Sequence, residues 1–474
     1  NKDQLKIFFI DIETYSPGNF PTPEEAPDPI NVITIYDSQR GHFISWGTKK
    51  LNKNIKNCTY AHCTSEAQML DCFLNYMQQD WPDILTGWNS EFFDIPYIIN
   101  RVSKILGDDE HRRLSPVGSV YSTTRPGNFG KQQTRWYIDG VSCIDYLDIY
   151  KKFSMGLRES YKLDAIAELE LGEKKVDYGN TNLSGLADED WQTFVEYNIQ
   201  DVNLLVKMED KLRYLELLRM LAYTGLTTFE SAMGTLSVVT GSCVIKARAN
   251  KTIIPTFVKD GSGEKYEGAY VGEPQRGFQE NIVSFDANSL YPNTMITLNL
   301  SPETKIGRIL DTTDTHVVIK HVNGKTFNLT HSKFSKFLED EKIAISRAKI
   351  LFTQQHKGIV PEFIDGLYKK RVDIKRELGI LRRKLSKLKK TDPEYINLKH
   401  KADQLDIKQY TIKICLNSAY GYFGNKYAPM GDADIARSIT LTGRAVIKQS
   451  NKILKKYIFH RAGLSDDSKV DPII

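Results

Sequence analysis

Ser284-Phe285-Asp286-Ala287-Asn288-Ser289-Leu290-Tyr291-Pro292 is the stretch on which the fold of this chain turns. Val283, Phe285 and the residues before them read as a short buried strand that Asp286 closes. A turn of small and polar residues follows. Tyr291-Pro292 then opens a helix, because proline is tolerated in a helix's first turn. A carboxylate at a strand end can hold a divalent metal, and the N–H groups of the turn beyond it can meet a polyphosphate chelated by that metal. An aspartate capping a helix is the simpler reading. The choice depends on what accompanies Asp286 elsewhere.

A chain of 474 residues is too long for one core and predicts two to four domains. With 41% hydrophobic and 26% charged residues it has the composition of a folded protein rather than a disordered one. A net charge of +5 is too mild to name a partner, so local charge must do that. The six cysteines form no paired CxxC pattern, and Cys58 and Cys63 around His62 fit no common zinc spacing. Scattered thiols without a framework suit a reducing cytosol. No apolar run approaches the roughly 18 residues of a membrane span, and no signal peptide is visible. Both ends read as cut: residue 1 is Asn with a core strand starting almost at once, and Ile473-Ile474 read as the start of another strand.

The first block, 1–213, carries acids in three places. Ile7 to Ile10 is a buried strand with Asp11 and Glu13 at its end, and residues two apart on a strand share a face. Two carboxylates forced together need a cation between them. Asp94 lies in Gly87-Trp88-Asn89-Ser90-Glu91-Phe92-Phe93-Asp94, beside apolar Phe93 and Ile95. Phe194 to Leu205 has helical periodicity, which puts Tyr197 and Asp201 four apart on one face. A phenol one turn from a carboxylate can hydrogen-bond an attacking water. Acids on a strand end, a second segment and a helix are what a two-metal phosphodiesterase needs. Pro126 to Trp136 reads as a hairpin with a Gly-rich tip. Asp145 and Asp148 read as structural.

Residues 214–257 read as a helical, then polar, connector. Tyr266-Glu267-Gly268-Ala269-Tyr270-Val271 follows, with small residues that allow close backbone approach. Residues 305 to 350 alternate and are rich in turns, without an assignable motif. From Pro361 a long basic helix carries the apolar stripe Leu367, Ile374, Leu378, Leu381 and Leu385. Arg371 and Lys375 lie four apart on it. Asp392-Pro393 breaks it, and a second helix returns through Leu398 to Leu416. That helix carries Lys413, Asn417 and Tyr420 at i, i+4 and i+7, one face suited to a nucleotide triphosphate and its base. Gly421 is expected to stop it. Ala433 to Arg444 is a further helix, expected to pack on the Asp286 strand.

The motifs DIET, NxxxFD and YxxxD in this order resemble those of the DEDDy 3′–5′ proofreading exonucleases. The resemblance implies an RNase H-like fold, makes Asp11, Glu13, Asp94 and Asp201 the metal-binding acids, and makes Tyr197 the tyrosine that names the subgroup. It also implies that the hairpin helps separate a primer end from its template. DxxSLYP followed by KxxxNSxYG, behind such an exonuclease, resembles the family B DNA polymerases, and most of all the replicative enzymes of tailed phages. Over nearly the whole chain this implies an α/β multidomain protein: exonuclease at 1–213, connector at 214–257, palm at 258–354, helical-hairpin fingers at 355–425 and a second part of the palm at 426–474. By the same match Asp286 is a catalytic metal ligand, and Ser289, Leu290 and Tyr291 line the nucleotide site, with Tyr291 the steric gate against ribonucleotides. Arg371, Lys375 and Lys413 bind triphosphate and Asn417 lines the site. Tyr266 and Gly268 match a YxGG-type DNA contact, with Ala269 in place of the second glycine, and Tyr420 and Gly421 pack on the nascent base pair.

The resemblance further implies Mg²⁺ or Mn²⁺, two per active site, and as partners primer–template DNA, dNTPs and a sliding clamp, in the host-cell cytoplasm. The family's DTDS motif, with the second palm aspartate, is absent. Ser465-Asp466-Asp467-Ser468 is polar and reads as a loop. The thumb is absent as well, so synthesis is expected to need a second polypeptide or further C-terminal chain carrying both. A split polymerase, an interrupted gene and a fragment all fit. The competing reading is a stand-alone 3′–5′ exonuclease whose second half is a non-catalytic DNA-binding platform.

Overall fold

A computed structural model describes residues 5–16, 18, 21–126, 132–154, 156–176, 183–254, 268–272, 276–278 and 284–463. The chain divides into two compact units, Asn1–Arg219 and Met220–Ile474.

The first unit contains β1 (Ile7–Thr14), β2 (Ile30–Asp37), β3 (His42–Gly47), β4 (Cys58–His62), α1 (Glu66–Gln79), β5 (Ile84–Thr86), α2 (Asp94–Leu106), β6 (Val120–Pro126), β7 (Gln132–Ile138) and β8 (Ser142–Cys143). The helices α3 (Tyr146–Phe153), α4 (Leu163–Leu171), α5 (Leu183–Glu189) and α6 (Trp191–Leu212) follow, and α7 (Tyr214–Gly225) crosses the boundary. A six-stranded sheet runs β4-β3-β2-β1-β5-β8. It is mixed: β1 pairs antiparallel with β2 and parallel with β5. β1 is FFI-rich and central, so both its faces must be covered. Phe8, Ile10 and Ile12 are buried with residues of α1 and α2. The strand's period of two sends Asp11 and Glu13 to the opposite face, where α6 packs. β6 and β7 pair as an antiparallel ribbon in register from Val120↔Ile138 to Pro126↔Gln132. The expected hairpin tip at 127–131 lies outside the described residues.

The second unit begins with α8 (Phe229–Ala232) and α9 (Thr235–Ala249), and α10 (Leu290–Thr297) follows. An antiparallel five-stranded sheet is built from β9 (Lys305–Thr312), β10 (His316–His321), β11 (Thr326–Thr330), β12 (Ile343–Ile345) and β13 (Ile350–Thr353), in the order β11-β10-β9-β13-β12, with α11 (His331–Asp340) between β11 and β12. The turn-rich insert is therefore a small sheet with its own core of Val317, Ile319, Phe334 and Leu351. The helices α12 (Ile359–Leu385), α13 (Pro393–Phe423) and α14 (Ala433–Ala462) complete the unit.

α12 and α13 form the expected antiparallel hairpin. Ile374, Leu378 and Leu381 are buried, and Leu367 and Leu385 pack beside them. Asp392 is the N-cap of α13 and Pro393 its first residue, where proline's missing N–H costs nothing.

Two expectations are not met among the described residues. Of the strand expected to end at Asp286, Val283 and the residues before it lie outside the described residues; 284–287 belong to no strand, Asp286 is exposed and Phe285 is 70% exposed. A strand needs a neighbour for its N–H and C=O groups, and among the described residues none pairs with this segment. Gly421 does not end α13, which continues to Phe423. Tyr422 and Phe423 are each 2% exposed, and their burial carries the helix through the glycine, overriding its poor propensity. Among the described residues no helix is long and apolar enough to cross a membrane.

Candidate active sites

In the first unit, one oxygen each of Asp11, Glu13 and Asp201 lies within 4.8 Å of the others. Asp11 and Glu13 come from β1 and Asp201 from α6, so the cluster exists only because that helix packs on that strand. Asp94 stands at the first turn of α2 and is 3% exposed. Its Oδ1 accepts the backbone N–H of Ile12 at 3.1 Å, which ties it to the strand between the two acids. Asn198, one turn before Asp201, donates from Nδ2 to Asp11 Oδ2 at 2.6 Å. Asp11 and Asp201 line a cleft of about 800 Å³, together with Trp88, Asn89 and Tyr197.

Burial sets the electrostatics. It pushes Asp11 well above the usual carboxylate range, and Asp94, Glu13 and Asp201 add to the shift. Glu13 is raised to about 8 by burial and by Asp201, and Asp94 to about 7, chiefly by burial. Burial also raises Asp201, to about 6, with Lys175 holding it back. Four crowded carboxyls that resist ionisation are the expected state of a cation site considered without its cation. Asp201 Oδ1 is buried and has no hydrogen-bond partner. The donor set is all oxygen, which suits Mg²⁺ or Mn²⁺.

Lys175 was not singled out in the sequence. Its Nζ donates to Asp201 Oδ2 at 2.5 Å and to the Tyr197 hydroxyl at 2.9 Å. Burial alone would pull this ammonium down, but Asp201 and Tyr197 outweigh it and hold it above an ordinary lysine. Asp145, read as structural, caps α3 through Leu147 N and accepts the backbone N–H groups of Asn89 at 3.0 Å and Glu91 at 3.2 Å. It thereby holds the turn in which Asn89 has φ 64°.

In the second unit, Ser289 has φ 51° and precedes α10, which begins at Leu290. The Tyr291 ring lies 4.8 Å from that of Tyr420 on α13. Asn288 Nδ2 donates to the Tyr368 hydroxyl on α12 at 3.2 Å. The turn is thus fastened to the helical hairpin. Ile374 of α12 and Ile412 of α13 belong to one core cluster; Arg371 and Lys375 stand on the first of these helices and Lys413 on the second. Among the described residues none of these three cations pairs with a carboxylate, and Arg371 Nε is buried without a partner. Asn417 is exposed and Tyr420 half-buried. Asp286 is exposed, and among the described residues the acidic triplet of the first unit is the only such group. Gly268 is exposed, while Tyr266 and Ser465 to Ser468 lie outside the described residues.

The profile of DNA polymerase family B matches residues 232–471, and that of the family's exonuclease domain matches residues 1–166. The chain is similar to the DNA-directed DNA polymerase of Escherichia phage RB69, at 26% identity over 98% of this chain and 57% of that protein. It is similar to that of Enterobacteria phage T4 at 28%, over 98% of this chain and 56% of the relative. The DNA polymerase delta catalytic subunit of Candida albicans is 28% identical, over 98% of this chain and 43% of its own length. The chain spans about half the length of the curated relatives it matches. It belongs to DNA polymerase family B and carries that family's exonuclease domain.

Proposed function

We propose that the first unit is a 3′–5′ proofreading exonuclease of RNase H-like fold, and that the second carries part of the palm and the fingers of a template-directed DNA polymerase. The observation that carries the reading is the convergence of Asp11 and Glu13, both inside the segment matched by the exonuclease profile, with Asp201 from the helix beyond it. These three acids would hold divalent cations, and Asp94 fixes the backbone at Ile12 between two of them. Bound there, such cations would supply a hydroxide and neutralise charge on the scissile phosphate. Tyr197, whose hydroxyl accepts from Lys175, would hydrogen-bond the attacking water. Lys175 also brings a fixed positive charge to the cleft, which favours an anionic DNA end.

In the second unit the cations Arg371, Lys375 and Lys413, none of them paired with a carboxylate among the described residues, suit a triphosphate. Asp286 supplies one carboxylate. Two cations at about 3.5–4 Å need more than one, so we assign synthesis to the whole protein, with primer–template DNA and dNTPs as substrates. The test is degradation of a labelled single-stranded oligonucleotide with Mg²⁺. The chain should shorten it from the 3′ end, and Asp11→Ala/Asp201→Ala should lower the rate by several orders of magnitude. A double variant as fast as the parent would remove these acids from the role.

A further inference from the structure

We propose that the second unit holds a binding site for a small amphipathic anion, a short acyl or aryl carboxylate, in the cavity between α9 and the base of the α12–α13 hairpin. The inference goes beyond the polymerase reading and does not depend on it. The cavity measures about 320 Å³, within the range of small-ligand pockets. Its apolar walls come from Met220, Ile245, Phe363, Leu367 and Ile412. One side is stiff: Gly225 and Gly241 let the end of α7 and α9 touch backbone to backbone, since a Cβ on Gly241 would lie 1.8 Å from Gly225 O.

The hydroxyls in the walls are spent on backbone carbonyls. Thr224 Oγ1 donates to Met220 O at 2.7 Å, Ser242 Oγ to Val238 O at 2.8 Å with Thr224 O at 3.1 Å as its alternative, and Thr411 Oγ1 to Ile407 O at 2.9 Å. No hydroxyl proton remains for the edge of a base or the hydroxyls of a sugar, so a nucleotide fits this lining poorly. Charge is another matter. Three lysines line the cavity: Lys246, Lys370 and Lys408. Lys246 is neutralised by Glu362 at 2.7 Å. Lys370 and the half-buried Lys408 have no acidic partner among the described residues. An apolar body between the helices with a carboxylate between Lys370 and Lys408 satisfies both features. A neutral apolar ligand would satisfy only the first.

The probe is 1-anilinonaphthalene-8-sulfonate, an aryl sulfonate whose fluorescence rises in apolar surroundings. The 474-residue chain should bind it with one-to-one stoichiometry, and octanoate should displace it. Lys370→Glu/Lys408→Glu should weaken binding at least tenfold, with near-ultraviolet circular dichroism showing the fold intact. Ala249→Trp places an indole at the cavity from an exposed position, where folding is not at risk, and should abolish binding by occupying the space. Equal affinity in parent and Ala249→Trp overturns the site. Equal affinity after charge reversal overturns the anion, and so does unsaturable binding. Displacement by deoxyadenosine monophosphate as effective as by octanoate overturns the ligand class.

Discussion

Tyr291 of α10 and Tyr420 of α13 stack in a tilted pair, ring centroids 4.8 Å apart at 48°, and the backbone of Gly443 on α14 closes the third side. A Cβ on Gly443 would lie 2.8 Å from Tyr291 Cε1. Three helices thus set the position of one phenol ring. If that ring packs under the incoming sugar, its truncation opens room for a 2′-hydroxyl. In the whole polymerase, Tyr291→Ala should raise ribonucleotide over deoxyribonucleotide incorporation by about tenfold or more, read as the ratio of the two kcat/KM values. Gly443→Ala, which pushes the ring rather than removing it, should shift the same ratio despite a better helix propensity. No change in either variant would sink the gate.

The carboxyl cluster makes stability depend on pH in an unusual direction. Asp201 at about 6, Asp94 at about 7 and Glu13 at about 8 all lie above their ordinary values. Each binds its proton more tightly in the folded than in the unfolded chain. Their contribution is complete below about pH 4 and is lost as the pH climbs towards 8. Half-buried Glu209, raised to about 7 by desolvation, adds a slope of the same sign. The metal-free chain should therefore melt several degrees higher near pH 5 than at pH 8. Mg²⁺ should raise the melting temperature more at pH 8, where the ligands ionise readily, and Glu13→Gln should flatten the metal-free slope. A metal-free melting temperature that rises steadily from pH 5 to pH 8 contradicts this.

Lys175 bonds both Asp201 and Tyr197, so its loss should unsettle the phenol and the carboxylate together. Lys175→Met is expected to cut exonuclease kcat by about 10²–10³-fold, the cost of one electrostatic stabiliser. It should also move the acidic limb of the pH–rate profile upward, because Asp201 loses the charge that holds its proton affinity down. A slower variant with an unmoved profile would make Lys175 a packing residue.

The 474 residues contain no DTDS motif, and Asp286 is exposed with no companion acid in the described metal-capable group. Primer extension by the isolated chain with Mg²⁺ and all four dNTPs should be undetectable. Adding a polypeptide that carries the DTDS strand and thumb should restore it, and Asp286→Ala should then abolish it. Robust extension by the chain alone would place a second carboxylate within it.

The parts that could be read from sequence were those governed by short periods. The two-residue repeat of β1 put Asp11 and Glu13 on one face, and the helical repeat put Tyr197 beside Asp201. The apolar stripe of α12 foretold its partner helix. What escaped depends on contacts distant in sequence. Asn198 reaches Asp11 across 187 residues, and nothing local separates Lys175 from Lys174 beside it, which pairs instead with Glu168 on the surface. Of the strand expected before Asp286, only 284–287 lie among the described residues, and they are unpaired because a strand is defined by its neighbour. The stop expected at Gly421 failed because buried Tyr422 and Phe423 decide where that helix ends.

Helix α6 carries Tyr197, Asn198 and Asp201 on a single rod whose apolar face, with Phe194, Val202 and Leu205, is core. The spacing of the acidic triplet is therefore inherited from hydrophobic packing. If the first unit proofreads as proposed, a damaged core would be felt first as a defect of accuracy. A substitution such as Leu205→Ala, at a buried position, should tilt the rod and spread the carboxylates before it unfolds the unit. In the whole protein such a change should then register as a temperature-dependent mutator.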